Sequence, residues 1–113
     1  MIKKTFAKGL NGLNTFADIY TVPTSKKSEF RLLYITDTAG NGINVDVQYV
    51  PNGGTAIDLL KDYSISQKEF VQIGGGEYEF INMNAGDVIK ARASGFATII
   101  ISVIESNDII QGG

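Results

Sequence analysis

The feature that most constrains the fold is an alternation of apolar and polar residues with a period of two. In the stretch INVDVQY, residues 43 to 49, apolar side chains occupy the odd positions, and Asn44, Asp46 and Gln48 occupy the even ones. Successive side chains of a strand point to opposite faces of a sheet. The pattern therefore predicts a strand with one buried and one wet face.

A second stretch, EFRLLYIT from Glu29 to Thr36, carries apolar residues on both faces and predicts a more central strand. With these two, the chain offers about eight strands at the short spacing that is typical of sandwiches and barrels. The other candidates are Phe16 to Val22, Ala56 to Tyr63, Glu69 to Ile73, Tyr78 to Met83, Asp87 to Ala93 and Phe96 to Glu105.

Turn-forming residues separate these candidates, which gives most of the glycines a conformational task. The turns are Pro23 to Lys27, Ala39 to Gly42, Pro51 to Gly54, Gly74 to Gly76, Asn84 to Gly86 and Ser94 to Gly95. In the first of them, Lys26 and Lys27 are interpreted as corner residues lifted into water. An exposed contact with a carboxylate of a neighbouring subunit would add about 0 to 1 kcal/mol there.

A helix is the alternative for Ile57 to Tyr63, where Ile57 and Leu60 lie on one helical face. Tyr63, Ile65 and Phe70 interrupt that apolar stripe, so a strand is preferred.

The predicted fold is all-β: an antiparallel β-sandwich of about eight strands with Greek-key or jelly-roll connections, because two such sheets bury their apolar faces against each other. We expect residues 1–113 to form a single domain, with 1–13 as an N-terminal arm and 106–113 as a C-terminal tail. The last strand, FATIIISVIE, is apolar on both faces and belongs in the core, because an exposed edge of that composition invites aggregation.

Composition excludes several functions. The chain contains no His and no Cys, so it lacks the usual ligands of zinc and the nucleophile of cysteine catalysis. The net charge is -2, which supplies no positive field for a nucleic-acid backbone. The longest apolar run, Ala97 to Val103, is far shorter than the roughly 20 residues of a membrane-spanning helix. At the start of the chain, Lys8 and Gly9 interrupt the apolar run of a signal peptide, so we expect mature sequence.

Two stretches resemble ligand-binding loops but have simpler explanations. GGGEYEF, residues 74 to 80, lacks the Lys-Ser/Thr pair of a phosphate-binding loop and is interpreted as a hairpin turn. The run DTAGNGINVD offers Asp37, Asn41, Asn44 and Asp46 as oxygen ligands for calcium. It lacks the ligand order of a calcium-binding loop, and a turn stabilised by an Asp or Asn side chain is favoured.

The acidic and hydroxyl residues do not form a catalytic pattern. Glu77 and Glu79 share one strand face, as a pair of glycosidase carboxylates would, but a solvated strand face accounts for them. Each serine lacks a histidine partner for a triad. We therefore predict a protein that is not an enzyme and takes no cofactor or metal.

The two ends of the chain are the candidate contact sites. Short apolar segments outside a core usually fray unless something holds them, so we expect both ends to dock, either on another subunit or on the domain itself. The candidate subunit-contact residues are Ile2, Phe6 and Leu10 at one end and Ile109 and Ile110 at the other.

Four stretches, residues 19–38, 44–60, 70–95 and 96–105, together resemble the small β-sandwich virion proteins of tailed bacteriophages. In that family a Tyr-Thr-Val-Pro strand end, a turn and a strand ending in Asn/Asp-Thr precede a late L-x-x-GD-x-I-x-x-x-A-S segment. The late segment here is Met83 to Ser94, with Gly86, Asp87, Ile89 and Ser94 in place and Met83 where leucine is usual. The resemblance runs from about Thr15 to Glu105, and its motifs concern the fold and not a reaction.

The resemblance implies a structural role in a virion. We expect a capsid-associated auxiliary or decoration protein that stabilises the particle through subunit contacts and avidity. Its partners would be the major capsid protein or other virion proteins and further copies of itself, with no nucleic acid and no membrane. Its location would be the virion, on the head surface in preference to the tail, after synthesis in the host cytoplasm. The alternative is a tail fibre, collar or baseplate module that binds a host receptor or glycan, for which Tyr63 and Tyr78 are the near-loop aromatic candidates.

Overall fold

A computed structural model describes residues 2–12, 14–38, 40–67, 69–76 and 81–107. Over these residues the chain forms nine β-strands. They are β1 (Ile2–Asn11), β2 (Ala17–Thr21), β3 (Lys26–Asp37), β4 (Ile43–Val50), β5 (Ile57–Ile65), β6 (Phe70–Gly74), β7 (Ile81–Met83), β8 (Val88–Ala93) and β9 (Phe96–Asn107).

The strands form two antiparallel sheets that pack as a sandwich. One sheet has the order β1-β9-β3-β6, with β7 also paired to β3, and the other has the order β2-β8-β4-β5. β6 pairs with the later part of β3 and β7 with its earlier part, on the same side, so the two share one strand position. Eight positions result, and the chain crosses between the sheets in the manner of a jelly roll. We refer to the sheets as the five-stranded and the four-stranded sheet.

The core lies between the sheets and consists of the inward half of each alternating strand. In β9 the odd residues Ile99, Ile101 and Val103 are buried, while the even residues face outward. The same alternation places Val45 and Val47 of β4 against them. The other core residues include Leu33 and Ile35 of β3, Ile89 and Ala91 of β8, and Val22 and Met83. A fully buried side chain of this kind contributes about 1.5 to 3 kcal/mol through loss of apolar surface.

The predicted fold class is confirmed, and each of the eight predicted segments contains a strand. Residues 57 to 65 form β5 and not a helix. The ninth strand is β1, which the sequence places in an arm. It pairs with β9 along its whole length, from Ile2 opposite Glu105 to Asn11 opposite Phe96. The arm residues that the structure describes are therefore part of the five-stranded sheet of their own chain.

The predicted turn at Asp37 is also found. Its carboxylate accepts hydrogen bonds from the backbone N–H groups of Gly40 (3.0 Å) and Gly42 (2.7 Å). Asp46 lies elsewhere and accepts from Asp62 N–H and Arg92 Nε. These two calcium candidates therefore hold different parts of the chain, Asp37 the turn after β3 and Asp46 the backbone of β5.

One buried residue, Asp87, holds three loops together at one end of the sandwich, two through its carboxylate and one through its backbone carbonyl. Asp87 is 3% exposed, and it accepts hydrogen bonds from the Tyr49 hydroxyl (2.7 Å), Asn52 N–H (2.8 Å) and Asn84 N–H (2.9 Å). Its backbone carbonyl accepts from Val22 N–H. Gly86, with a φ of +86°, makes the turn, and a Cβ there would meet the Asn52 side chain. The Gly-Asp pair of the late sequence motif therefore has a structural task.

We expect Asp87→Ala to lower the free energy of unfolding by about 3 kcal/mol, because it leaves several buried donors without an acceptor. Urea unfolding followed by circular dichroism measures this loss. Asp18→Asn is the control: its side chain is 60% exposed and pairs with Lys90 at the surface, so its effect should lie within about 0.5 kcal/mol. Equal effects of the two substitutions would contradict the assignment.

Candidate interaction surface

The N-terminal contact candidates have three different environments. Ile2 is 55% exposed at the end of β1, and Phe6 is 37% exposed and stacks on Tyr20 of the facing sheet, with ring centroids 5.3 Å apart. Leu10 is 6% exposed and belongs to the core. Of these three candidates, Ile2 and Phe6 are therefore the ones open to solvent. Ile109 and Ile110 lie outside the described residues.

An ion pair between half-exposed Lys4 and buried Glu105 fixes β1 to the body of the sandwich. Glu105 of β9 is 2% exposed and lies 2.8 Å from Lys4 Nζ, and it accepts a 2.6 Å hydrogen bond from the Tyr20 hydroxyl. Burial by itself would raise the pKa of Glu105, but the bonds from Lys4 and Tyr20 outweigh it and lower the pKa. Burial and the same carboxylate raise the pKa of Tyr20. Ser28 Oγ, buried nearby, makes no hydrogen bond with the described residues.

The outward face of the five-stranded sheet is uncharged around Ile100, and Arg31, in the bulge of β3, lies at the margin of this region. It carries small residues on β1, apolar and hydroxyl residues on β9 and β3, and an exposed aromatic residue on β6. We call the following set the uncharged face: Thr5, Ala7 and Gly9; Thr98, Ile100 and Ser102; Leu32, Tyr34 and Thr36; Phe70 and Gln72.

Contacts along the uncharged face leave large apolar side chains open to solvent. Thr5 and Ser102 form a hydrogen bond across β1 and β9 at 3.2 Å. Tyr34 and Phe70 lie ring against ring at 5.5 Å. Ile100, at its centre, is 37% exposed and Phe70 is 57% exposed. Phe96, at the end of β9, adds an aromatic ring that is 62% exposed. Contiguous exposed apolar surface of this kind marks interaction sites.

The outward face of the four-stranded sheet is different because its polar groups satisfy one another. Lys90 pairs with Asp18 at 3.2 Å, and Arg92 Nε donates to Asp46 at 2.9 Å. The Gln48 amide donates to Asp58 at 3.1 Å. The Arg92 guanidinium also lies 4.4 Å from the centroid of the Phe16 ring. This face has the pattern of a solvated surface, and it serves as an internal comparison for the uncharged face.

The edges of both sheets carry features that oppose pairing with another strand. β1 has Lys3, Lys4 and Lys8, and lysines are common on protected edges. β5 bulges where Asp46 binds the backbone of Asp62, which has a φ of +50°. β2 is five residues long and bulged, and β6 and β7 are short. A partner therefore fits better on a face of the sandwich than on an edge.

The other sequence candidates lie apart from the uncharged face or outside the described residues. Lys26 Nζ donates to Asn107 Oδ1 at 2.6 Å across neighbouring strands, which fits its interpretation as a corner residue. Tyr63, on β5, is 46% exposed. Tyr78, Glu77 and Glu79 lie outside the described residues.

The uncharged face was not recognised in the sequence, although a signal is present. The odd positions of β1 between residues 5 and 9 carry no charge, and neither do the even positions of β9 between residues 96 and 106. That pattern acquires meaning only when the register brings the two strands side by side.

Comparisons with known proteins assign no family to this chain. The chain matches no profile of a known protein family, and no curated protein has a similar sequence. Within the described part of the chain, no helix has the length and apolar character to cross a membrane. The same residues contain no group of three or more acidic side chains placed to hold a metal ion.

The ion pair of Glu105 predicts acid sensitivity. Its pKa is lowered in the folded protein, so its stabilising contribution is complete above the unfolded value of about 4.5 and is lost as the pH falls through the folded value. We expect the free energy of unfolding of the native protein to fall below pH 4.5. Glu105→Gln should cost about 2 kcal/mol at pH 7, because it removes charge-assisted hydrogen bonds to a buried carboxylate, and it should reduce that slope. Urea unfolding at pH 7 and at pH 3 measures both effects, and an unchanged slope would contradict the role of Glu105.

Proposed function

We propose that this protein is a structural component of a bacteriophage particle, and specifically a capsid-associated auxiliary protein that stabilises the shell through subunit contacts. Two observations support the proposal. The resemblance to small phage virion proteins covers residues 15 to 105, and the strand order is that of a jelly roll, which is common in viral capsid domains and also occurs in lectins and cupins. The partners would be the major capsid protein or other virion proteins, and the location would be the head surface.

The observation that carries the proposal is the uncharged face. Its exposed centre at Ile100 and its aromatic margin at Phe70 and Phe96 resemble the charge-depleted, aromatic-rich core of a protein interface. The opposite face has satisfied ion pairs and would remain in water. A shell protein of this type uses many copies, so modest contacts add up through avidity.

The proposal includes no catalytic role. The described buried carboxylates are those of Asp37, Asp46, Asp87 and Glu105, and each accepts hydrogen bonds from groups of its own fold. A carboxylate held in this way stabilises loops and strands and is poorly placed to exchange protons with a substrate.

Occupancy on particles tests the proposal. Phage particles that lack this protein are incubated with purified wild-type protein, Ile100→Lys or Asn44→Lys, and the bound protein is quantified on gels after sedimentation. We expect Ile100→Lys to reduce occupancy strongly, because it places a charge at the centre of the uncharged face. Asn44→Lys, on the exposed face of the four-stranded sheet, should bind like wild type.

Thermal unfolding of both variants is the control for folding, since both positions are on outward faces. Absence of wild-type binding to the particles would refute the shell role. Equal loss with both variants would refute the assignment to the uncharged face.

One observation favours a second candidate, a tail fibre, collar or baseplate module that binds a host receptor or glycan. Phe96 and Phe70 are the most exposed aromatic residues among those described, and aromatic faces suit sugar rings. A glycan array with purified protein tests this candidate. Saturable binding to one glycan class that is lost in Phe96→Ala would support it over a purely architectural role.

A further inference from the structure

We propose that the uncharged face binds the same face of a second copy of this chain, about a two-fold axis that runs parallel to β9 and passes near Ile100. This inference rests on the proposed function, and it names the partner that binds the contact surface. Two-fold contacts are the commonest in protein assemblies and require a self-complementary surface. The strands of facing sheets lie within about 30° of each other. Because this angle displaces distant residues, we compare the residues that face each other close to the axis.

Side-chain size is complementary under this symmetry. Ala7 of β1, Ile100 of β9 and Tyr34 of β3 lie in one row across the sheet. A two-fold axis along β9 keeps each row but exchanges the two sides, so the small Ala7 meets the large Tyr34 of the second copy, and Ile100 meets Ile100. The neighbouring rows repeat the match, with Gly9 opposite Thr36 and Thr5 opposite Leu32.

Charge is complementary at the margin of the same surface. Lys3 and Glu29 flank Ile104 in the next row, on β1 and β3. The two-fold axis places Lys3 of each copy opposite the Glu29–Arg31 pair of the other, where Lys3 shares the Glu29 carboxylate, and two equivalent contacts of this kind result. Lys3 has no ion-pair partner among the described residues of its own chain, whereas Glu29 also contacts Arg31 at 3.2 Å.

The alternative two-fold axis, perpendicular to the strands, gives a poorer match. It would place Ala7 on Ala7 and Tyr34 on Tyr34, leaving a gap on one side and crowding on the other. It would also direct Lys3 and Glu29 toward the uncharged end of the second copy, near Phe96. The axis parallel to β9 is therefore favoured.

Sedimentation velocity of the purified protein tests the association. We expect wild type to sediment as a dimer, with twice the 12.2 kDa of one chain. Ile100→Lys should weaken the dimer on the order of 100-fold or more, because two charges would meet at the axis. Asn44→Lys, on the other face, should leave the dimer unchanged. A wild-type protein that is monomeric at all accessible concentrations would overturn the proposal.

Cross-linking tests the orientation, and the absence of cysteine from the chain makes each introduced thiol unique. Facing sheets lie about 10 Å apart, so a short bifunctional thiol reagent is used in place of a direct disulfide. Ala7→Cys mixed with Tyr34→Cys should give a cross-linked heterodimer, while each variant alone should give little product. Ile100→Cys alone should cross-link efficiently, and Asn44→Cys should not. Efficient cross-linking of Ala7→Cys with itself would overturn the parallel axis.

The two proposals fail separately. If wild type is monomeric but occupancy on particles depends on Ile100, the uncharged face binds a shell protein, and the self-association is refuted. If wild type dimerises through Ile100 but never binds particles, the shell role is refuted, and the self-association stands.

Discussion

The pairing of β9 with both β1 and β3 is the interaction on which the rest of the structure depends. β9 is twelve residues long and hydrogen-bonds to β1 on one side and β3 on the other, so this last strand joins the first strand to the rest of its sheet. Its inward residues Ile99, Ile101 and Val103 fill the core, and Glu105 receives Lys4 and Tyr20. Its outward residues form the central line of the uncharged face. One strand thus sets both the stability of the fold and the character of its surface.

The two outer faces of the sandwich differ in charge and in exposed apolar surface. On the four-stranded sheet, Lys90, Arg92 and their acidic partners satisfy each other at the surface, which favours hydration. On the five-stranded sheet, Ile100 and Phe70 are exposed among residues that carry no charge. Because the edges bear lysines, bulges or short strands, a face of the sandwich is better suited to association than an edge. In the proposed assembly, a contact through a face would restrict the orientation of the partner.

The sequence predicted the fold well because the evidence for it is local. Alternation with a period of two located each strand from β2 to β9, and residues such as Pro23 and Gly86 marked turns. β1 was missed as part of the sheet because Lys3, Lys4 and Lys8 weaken its alternation, and its partner β9 lies more than 80 residues away. The candidate surface depends on the same long-range register. Phe6 and Ile2 could be selected by their apolar character, but the core position of Leu10 and the row from Ala7 to Tyr34 become apparent only when the strands are placed side by side.

The central claim, that the uncharged face binds the same face of a second copy, is tested most directly by hydroxyl-radical footprinting of the wild-type protein against Ile100→Lys. Tyr34 reports on the part of the uncharged face next to β9, and Tyr63, which is 46% exposed on β5, reports on the rest of the surface. We expect Tyr34 to be oxidised several times more slowly in wild type than in the variant, with Tyr63 equally reactive in both. Equal reactivity of Tyr34 in the two proteins would contradict the claim.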